Sequence, residues 1–225
     1  DHRDLHSFPT RRSSDLIPVV DYEMCMVGIV TVDDAMAVLQ EEATEDMSMM
    51  AGIAPSEDSY FGTSVWKHVR NRFPWLLFLM LSATMTGLLL GHYEGALAVM
   101  PILNTFVPML TGTGGNCGSQ SSTLIIRGLA VDEIEFGDIF KVLFKEIRIA
   151  LLAGFLLAIV NGIRIVLMYK DPMLAFAVGL TLMCTVILSK TIGCSLPLIA
   201  KKCGLDPAIM AAPLITTLVD TGTIF

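Results

Sequence analysis

Charged side chains are scarce in this sequence: they make up 16% of its 225 residues, against 53% hydrophobic, and the mean hydropathy is +0.65. An ordinary soluble domain carries about 25% charged residues, so this chain belongs in a membrane. Basic residues are in deficit as well. The net charge of -7 is carried mostly by the first 60 residues, where acids cluster without matching bases, which argues against nucleic-acid binding. The five cysteines (Cys25, Cys117, Cys184, Cys194 and Cys203) include no C-x-x-C pair and read as buried or reduced thiols, not as a disulfide or zinc frame. No cysteine–histidine cluster is present either, which argues against a dedicated zinc or copper path. The glycine-rich run "TGTGGNCGSQSS", residues 111–122, has no lysine after Gly118 as a phosphate loop needs. Cys117 stands where a dinucleotide fingerprint needs its third glycine.

The chain opens on "HSFPTRRSSDL", residues 6–16, which resembles the conceptual translation of a sequencing adaptor and has no apolar core of a secretory signal. Residues 1–16 are therefore set aside, with the genuine frame expected from near Ile17 and the true N-terminus missing. Two β-branched runs, Ile17 to Val20 and Val27 to Val32, then an acid-rich helical pattern, predict strand, strand and helix over 17–46. Residues 41–72 turn from acidic to basic. A solvated linker helix is expected from about Ser56, with Ser56, Glu57 and Asp58 at its start and Lys67, His68, Arg70 and Arg72 at its end, complementing the helix dipole.

Five apolar segments follow, at about 74–91, 95–126, 149–169, 172–200 and from 207 onward. Crossing a bilayer takes about 20 apolar residues, so residues 73–225 are expected to form five transmembrane helices, the fifth truncated. Lys67, Arg70 and Arg72 precede the first span; Arg127, Lys141, Lys145 and Arg148 separate the second from the third; Lys201 and Lys202 separate the fourth from the fifth. The positive-inside rule puts these loops and the N-terminal module in the cytoplasm, with Phe225 pointing outward.

Two spans carry polar interruptions. In the second, Pro101, Asn104, Pro108 and the glycine run predict irregular backbone, since glycine costs about 1 kcal/mol per helical position relative to alanine. Close helix packing through small residues is the alternative use of the same run. In the fifth, "DPAIMAAPLITTLVD" places Pro207 in the first turn, Pro213 as a helix breaker, and Thr216 and Thr217 one turn before Asp220. A carboxylate in such a run is functional by default, as an ion ligand or a catalytic acid, unless it merely terminates the helix at the interface. Asp-Thr-Gly behind apolar residues also spells the signature of pepsin-like proteases. Those are soluble β structures with two such aspartates, whereas "IMAAPLITTLV" reads as membrane helix. A non-transporting sensor or scaffold is a further alternative.

"IPVVD" with "MVGIVTVDDA" resembles the C-terminal half of a CBS domain, an α/β module that senses ligands or ions. "GIVTVDDA", "EEATED", "RFPWLL", "VPMLTGTGGNCGSQSSTLIIRGLA", "KEIRIALLAG" and "GLDPAIMAAPLITTLVDTG" occur in the order of the MgtE-type magnesium channels, a resemblance covering nearly all of 17–225. It implies an all-α polytopic membrane protein: five transmembrane helices preceded by a partial α/β CBS domain (17–46) and a plug-type linker helix (47–72). It further implies a homodimer in the cell (inner or plasma) membrane, with lipid contacts, Mg2+ as substrate and regulatory ligand, and a nucleotide as candidate ligand of complete CBS domains. The pore ligand would fall on Asp220, with Thr216 and Thr217 beside it; Gly114, Gly115, Asn116 and Gln120 would line the pore. Asp34, Glu42, Glu45, Asp46 and Asp206 would hold a closed state through bound Mg2+. Ala37 stands where an acid is often seen, and Ala212 where the pore motif can carry asparagine. Mg2+ prefers octahedral oxygen coordination and keeps waters, so one or two carboxylates plus carbonyls suit it; Mn2+ or Co2+ transport is the broader alternative.

Overall fold

The computed structural model describes residues 16–56, 59–210 and 212–224. The adaptor-like stretch up to Asp15, the acids Glu57 and Asp58, the side chain of Ala212, and Phe225 lie outside the described residues. The chain forms two units, one ending at Met47 and the other beginning at Ser48.

In the first unit, β1 (Leu16–Val20) pairs antiparallel with β2 (Met26–Thr31), and α1 (Val32–Met50) follows directly, giving the strand, strand, helix order read from the sequence. Asp21 closes the turn: its Oδ1 accepts from the Glu23 and Cys25 amides, each at 2.9 Å. α1 starts on a reciprocal cap. Thr31 donates through its amide (3.0 Å) and hydroxyl (2.6 Å) to Asp34 Oδ2, and the Asp34 amide donates back to Thr31 Oγ1 at 3.1 Å. Ile17, Val27 and Met26 are exposed, at 64%, 65% and 70%, so hairpin and helix alone enclose no core.

In the second unit, the linker helix expected from about Ser56 does not begin there. α2 (Val65–His92) starts nine residues later on the Ser64 cap, whose Oγ accepts from the Lys67 amide at 3.3 Å, and runs without a break into the first apolar segment. Pro74 is accommodated inside it. The preceding turn needs Gly52 in the left-handed region (φ 68°), with the Trp75 indole packed where a Cβ would sit.

After α3 (Glu94–Val99), the chain breaks at Met100 (φ -139°, ψ 77°) into a 3-10 turn, Pro101–Thr105, and α4 (Val107–Ala130) begins with Pro108 in its first turn. The irregular backbone expected from Pro101 through the glycine run is confined to this stretch. Residues 111–122 are continuous α-helix. Leu110, Gly114, Gly118, Ser121, Ser122, Ile125 and Leu129 are buried at helical spacing, so packing on one face outweighs the intrinsic penalty of glycine.

α5 (Ile139–Tyr169) begins about ten residues before the third apolar segment and takes Lys141, Lys145 and Arg148 onto the helix. Lys170 closes it in the left-handed conformation (φ 54°), and Asp171 caps α6 (Pro172–Lys202) by accepting from the Met173 and Leu174 amides at 2.9 and 3.0 Å. α6 is the central helix, packed against α4, α5 and α7 (Ala212–Ile224). Among the described residues three helical segments are long and apolar enough to cross a membrane: Val65–His92, Phe136–Tyr169 and Pro172–Lys202.

Candidate functional site

Asp206 Oδ1 accepts from the Ala208 amide at 2.8 Å and starts the 3-10 turn Pro207–Met210, after which α7 carries the aspartate singled out above. Pro213 does not break this helix. It is the second residue of α7, where its missing N–H has no intrahelical partner to lose. Its carbonyl instead accepts the Thr216 hydroxyl at 2.9 Å and the Thr217 hydroxyl at 3.2 Å. Thr221 and Thr223 donate likewise to the carbonyls of Thr217 and Val219, at 3.0 and 2.7 Å. Each hydroxyl thus spends its proton on the helix and keeps lone pairs for a cation or water. Thr216 and Asp220 stand one turn apart on one face of α7, with Thr217 beside them; all three are half-buried.

Small residues bring α7 close to α4 and α6. A Cβ at Gly115 would stand 2.8 Å from Thr216 Cγ2, one at Gly114 would meet Val219 Cγ1 at 2.7 Å, and one at Gly118 would meet Ile215 Cγ2 at 2.6 Å. Gly193 of α6 lies directly against the Gly118 carbonyl, and Gly222 against Leu188 Cδ2. Asp220 is therefore flanked by two residues in contact, Val219 on α4 and Gly222 on α6. Of the expected pore-lining set, Gly114 and Gly115 are buried in this seam, whereas Asn116 and Gln120 are exposed, one turn apart on another face of α4.

Asp34, Glu42, Glu45 and Asp46 all lie on α1 in the first unit, and Asp206 in the second. The Thr31 hydroxyl and amide hold the Asp34 carboxyl below the usual carboxylate range. Among the described residues no three His, Cys, Asp or Glu side chains gather into a metal-holding group within one protomer.

Sequence reasoning missed a second polar cluster. Lys190 of α6 and Glu146 of α5 are 7% and 6% exposed, and Ser121 of α4 is fully buried. Ser121 donates to Glu146 Oε2 at 2.7 Å and accepts from Lys190 Nζ at 3.0 Å, while Lys190 and Glu146 pair at 3.4 Å. Removing one member of a buried ion pair costs about 3–5 kcal/mol because the other charge is stranded. The signal was a lone lysine in "VILSKTIGC", an ionisable residue inside an apolar span.

The ends of α4 and α6 also meet. Lys201 Nζ donates to the Leu129 carbonyl at 3.1 Å and lies 3.8 Å from Asp132, and Lys202 sits 4.4 Å over the Phe136 ring. The basic loops after α4 and after α6 are thus at the same end of the bundle.

Residues 107–225 match the family model described as MgtE, divalent cation transporter. The chain is similar to proteins named magnesium transporter MgtE from Thermus thermophilus (37% identical over 207 residues) and Bacillus subtilis (36% over 204), each match covering 91% of this chain and 45% of that protein. A third, from Enterococcus faecalis, is 32% identical over 204 residues, 91% of this chain and 44% of that protein. The chain thus spans a little under half the length of these curated relatives. A family model matching more than half of the chain establishes that the chain belongs to the MgtE family of divalent cation transporters, which are not enzymes.

Proposed function

We propose that this chain carries Mg2+ across a membrane, with Asp220 as the ligand that selects the ion at the axis of a homodimer. The observation that carries the reading is the seating of Asp220: a half-buried carboxylate on a glycine-packed seam, one turn from Thr216 and Thr217. A twofold axis there brings two carboxylates to one hydrated cation, a donor set suited to an ion that keeps part of its water shell. The Asn116 and Gln120 amides, exposed on another face of α4, are available to hydrogen-bond retained waters.

The five crossings are assigned to α2, the α3–α4 segment, α5, α6 and α7. The junction of Lys201 with Leu129 supports this topology, since it sets both basic loops on one side, the cytoplasmic side by the positive-inside rule. The first unit is the C-terminal half of a CBS domain on the cytoplasmic side, and its acids Asp34, Glu42, Glu45 and Asp46 bind regulatory Mg2+. Mutual repulsion among them is relieved when a divalent ion bridges them.

The test is Mg2+ uptake by proteoliposomes. Asp220→Asn keeps size and hydrogen bonding but removes the charge, so uptake collapses while the protein still folds and dimerises. Wild-type uptake in a folded Asp220→Asn dimer refutes the assignment. The description of the family as divalent cation transporters favours a second reading, in which Mn2+ and Co2+ share the path. Competition between these ions and Mg2+ for uptake decides it.

A further inference from the structure

We infer that Ser121, Glu146 and Lys190 form a positioning network that sets the seat of Asp220 through α6, an inference that rests on the transport role of Asp220. The three residues come from α4, α5 and α6 and are joined through Ser121 by contacts of 2.7 and 3.0 Å. Stability alone does not call for them, because apolar side chains of the same volume commonly replace a buried ion pair without loss. What such a network adds is direction. Its donor and acceptor geometry fixes the rotation of α6 about its own axis, which apolar packing leaves softer.

The stretch of α6 that carries Lys190 is also the one that bounds the site. The Ser189 carbonyl lies 3.1 Å from where a Gly118 Cβ would stand, and Ser189 Oγ 3.0 Å from that of Gly114. Gly193 rests on the Gly118 backbone, and Leu188 on Gly222, two residues beyond Asp220. Turning α6 therefore moves the wall against which both α4 and the Asp220 turn of α7 are packed. The buried hydroxyls of Ser122 and Ser189 have no hydrogen-bond partner among the described residues, so apart from the network little else in this seam holds that rotation by polar contact.

The test compares the full chain with Glu146→Leu/Lys190→Met, Ser121→Ala and the conservative Glu146→Asp/Lys190→Arg. Readouts are dimer assembly and thermal midpoint, Mg2+ uptake against Mg2+ concentration, and hydrogen exchange of residues 212–224. The apolar pair is expected to assemble with a midpoint no lower than wild type. Its uptake falls about tenfold or its half-saturating Mg2+ rises by as much, the penalty of a slightly misplaced ligand, and exchange in 212–224 quickens. The conservative pair restores the wild-type curve. An apolar pair with wild-type uptake and exchange overturns the inference and leaves the network as core filling. Should the apolar pair fail to assemble, Ser121→Ala decides: a shifted half-saturation at wild-type stability supports positioning, and an unchanged curve overturns it. If wild-type vesicles take up no Mg2+, the transport reading falls, while exchange at 212–224 still decides whether the network positions α7.

Discussion

Gly193→Ala tests the seam on which the site depends. The new methyl would run into the Gly118 carbonyl oxygen and stand 2.9 Å from both the Gly118 Cα and carbonyl carbon, closer than Cβ atoms approach in folded proteins. The obstacle is backbone, which no rotamer change relieves, so α4 and α6 must separate. Overpacking of this kind costs about 1–3 kcal/mol, toward the upper end when backbone must move. Replacing glycine by alanine inside a helix returns about 1 kcal/mol of intrinsic propensity. The net is a loss of about 1–2 kcal/mol, a factor of about 5–30 in the folded ratio. Gly162→Ala on α5 is the control, since nothing lies within 4 Å of that position and propensity alone acts there. Reversible unfolding in detergent, followed by helical circular dichroism, should order the proteins Gly162→Ala, wild type, Gly193→Ala from most to least stable. A Gly193→Ala protein as stable as Gly162→Ala refutes the close approach of α4 and α6.

Two further outcomes are expected. Thr31→Ala removes the hydroxyl that lowers the Asp34 pKa, so nuclear magnetic resonance titration should find that pKa moved back up. In the parent, a folded pKa below the unfolded value means that the cap's contribution is fully present above about pH 4 and fades as pH falls through the lowered value, with α1 fraying from its first turn; a flat response refutes the cap. Glu45→Ala/Asp46→Ala should shift inhibition of uptake to higher internal Mg2+, and unchanged inhibition refutes the regulatory role of these acids.

Where one physical signal dominated, the sequence was enough to read the structure. The hairpin and α1 follow from β-branched runs and an acid-rich amphipathic stretch, and α6 from an apolar run bounded by Asp171-Pro172 and Lys201-Lys202. Where two signals competed, the reading turned on tertiary contacts that a linear pattern does not contain. Glycine in 111–122 weakens a helix locally but lets three helices touch, and the second effect prevails. Pro213 reads as a breaker only if the helix starts at Pro207, five residues before α7 does. Lys145 and Arg148 read as loop charges, which hid Glu146 between them although it faces the interior. Asp220 stood out early because an isolated carboxylate in an apolar run requires no tertiary information to notice.

The unequal reach of α5 and α6 has a consequence for the lipid around them. Each has 31 residues, about 46 Å of helix against a hydrocarbon layer of about 30 Å. Glu146 lies seven residues inside its end of α5, about 10 Å, whereas Lys190 lies twelve from the matching end of α6, about 18 Å. Since the two touch, α6 projects roughly 8 Å further at that end, carrying Lys201 and Lys202 into water. With α5 centred on the layer, Glu146 sits at a depth within about 3 Å of the hydrocarbon boundary, with protein covering all but 6% of it. A bilayer with longer acyl chains submerges that carboxylate, so membrane thickness becomes a variable that the ion pair feels.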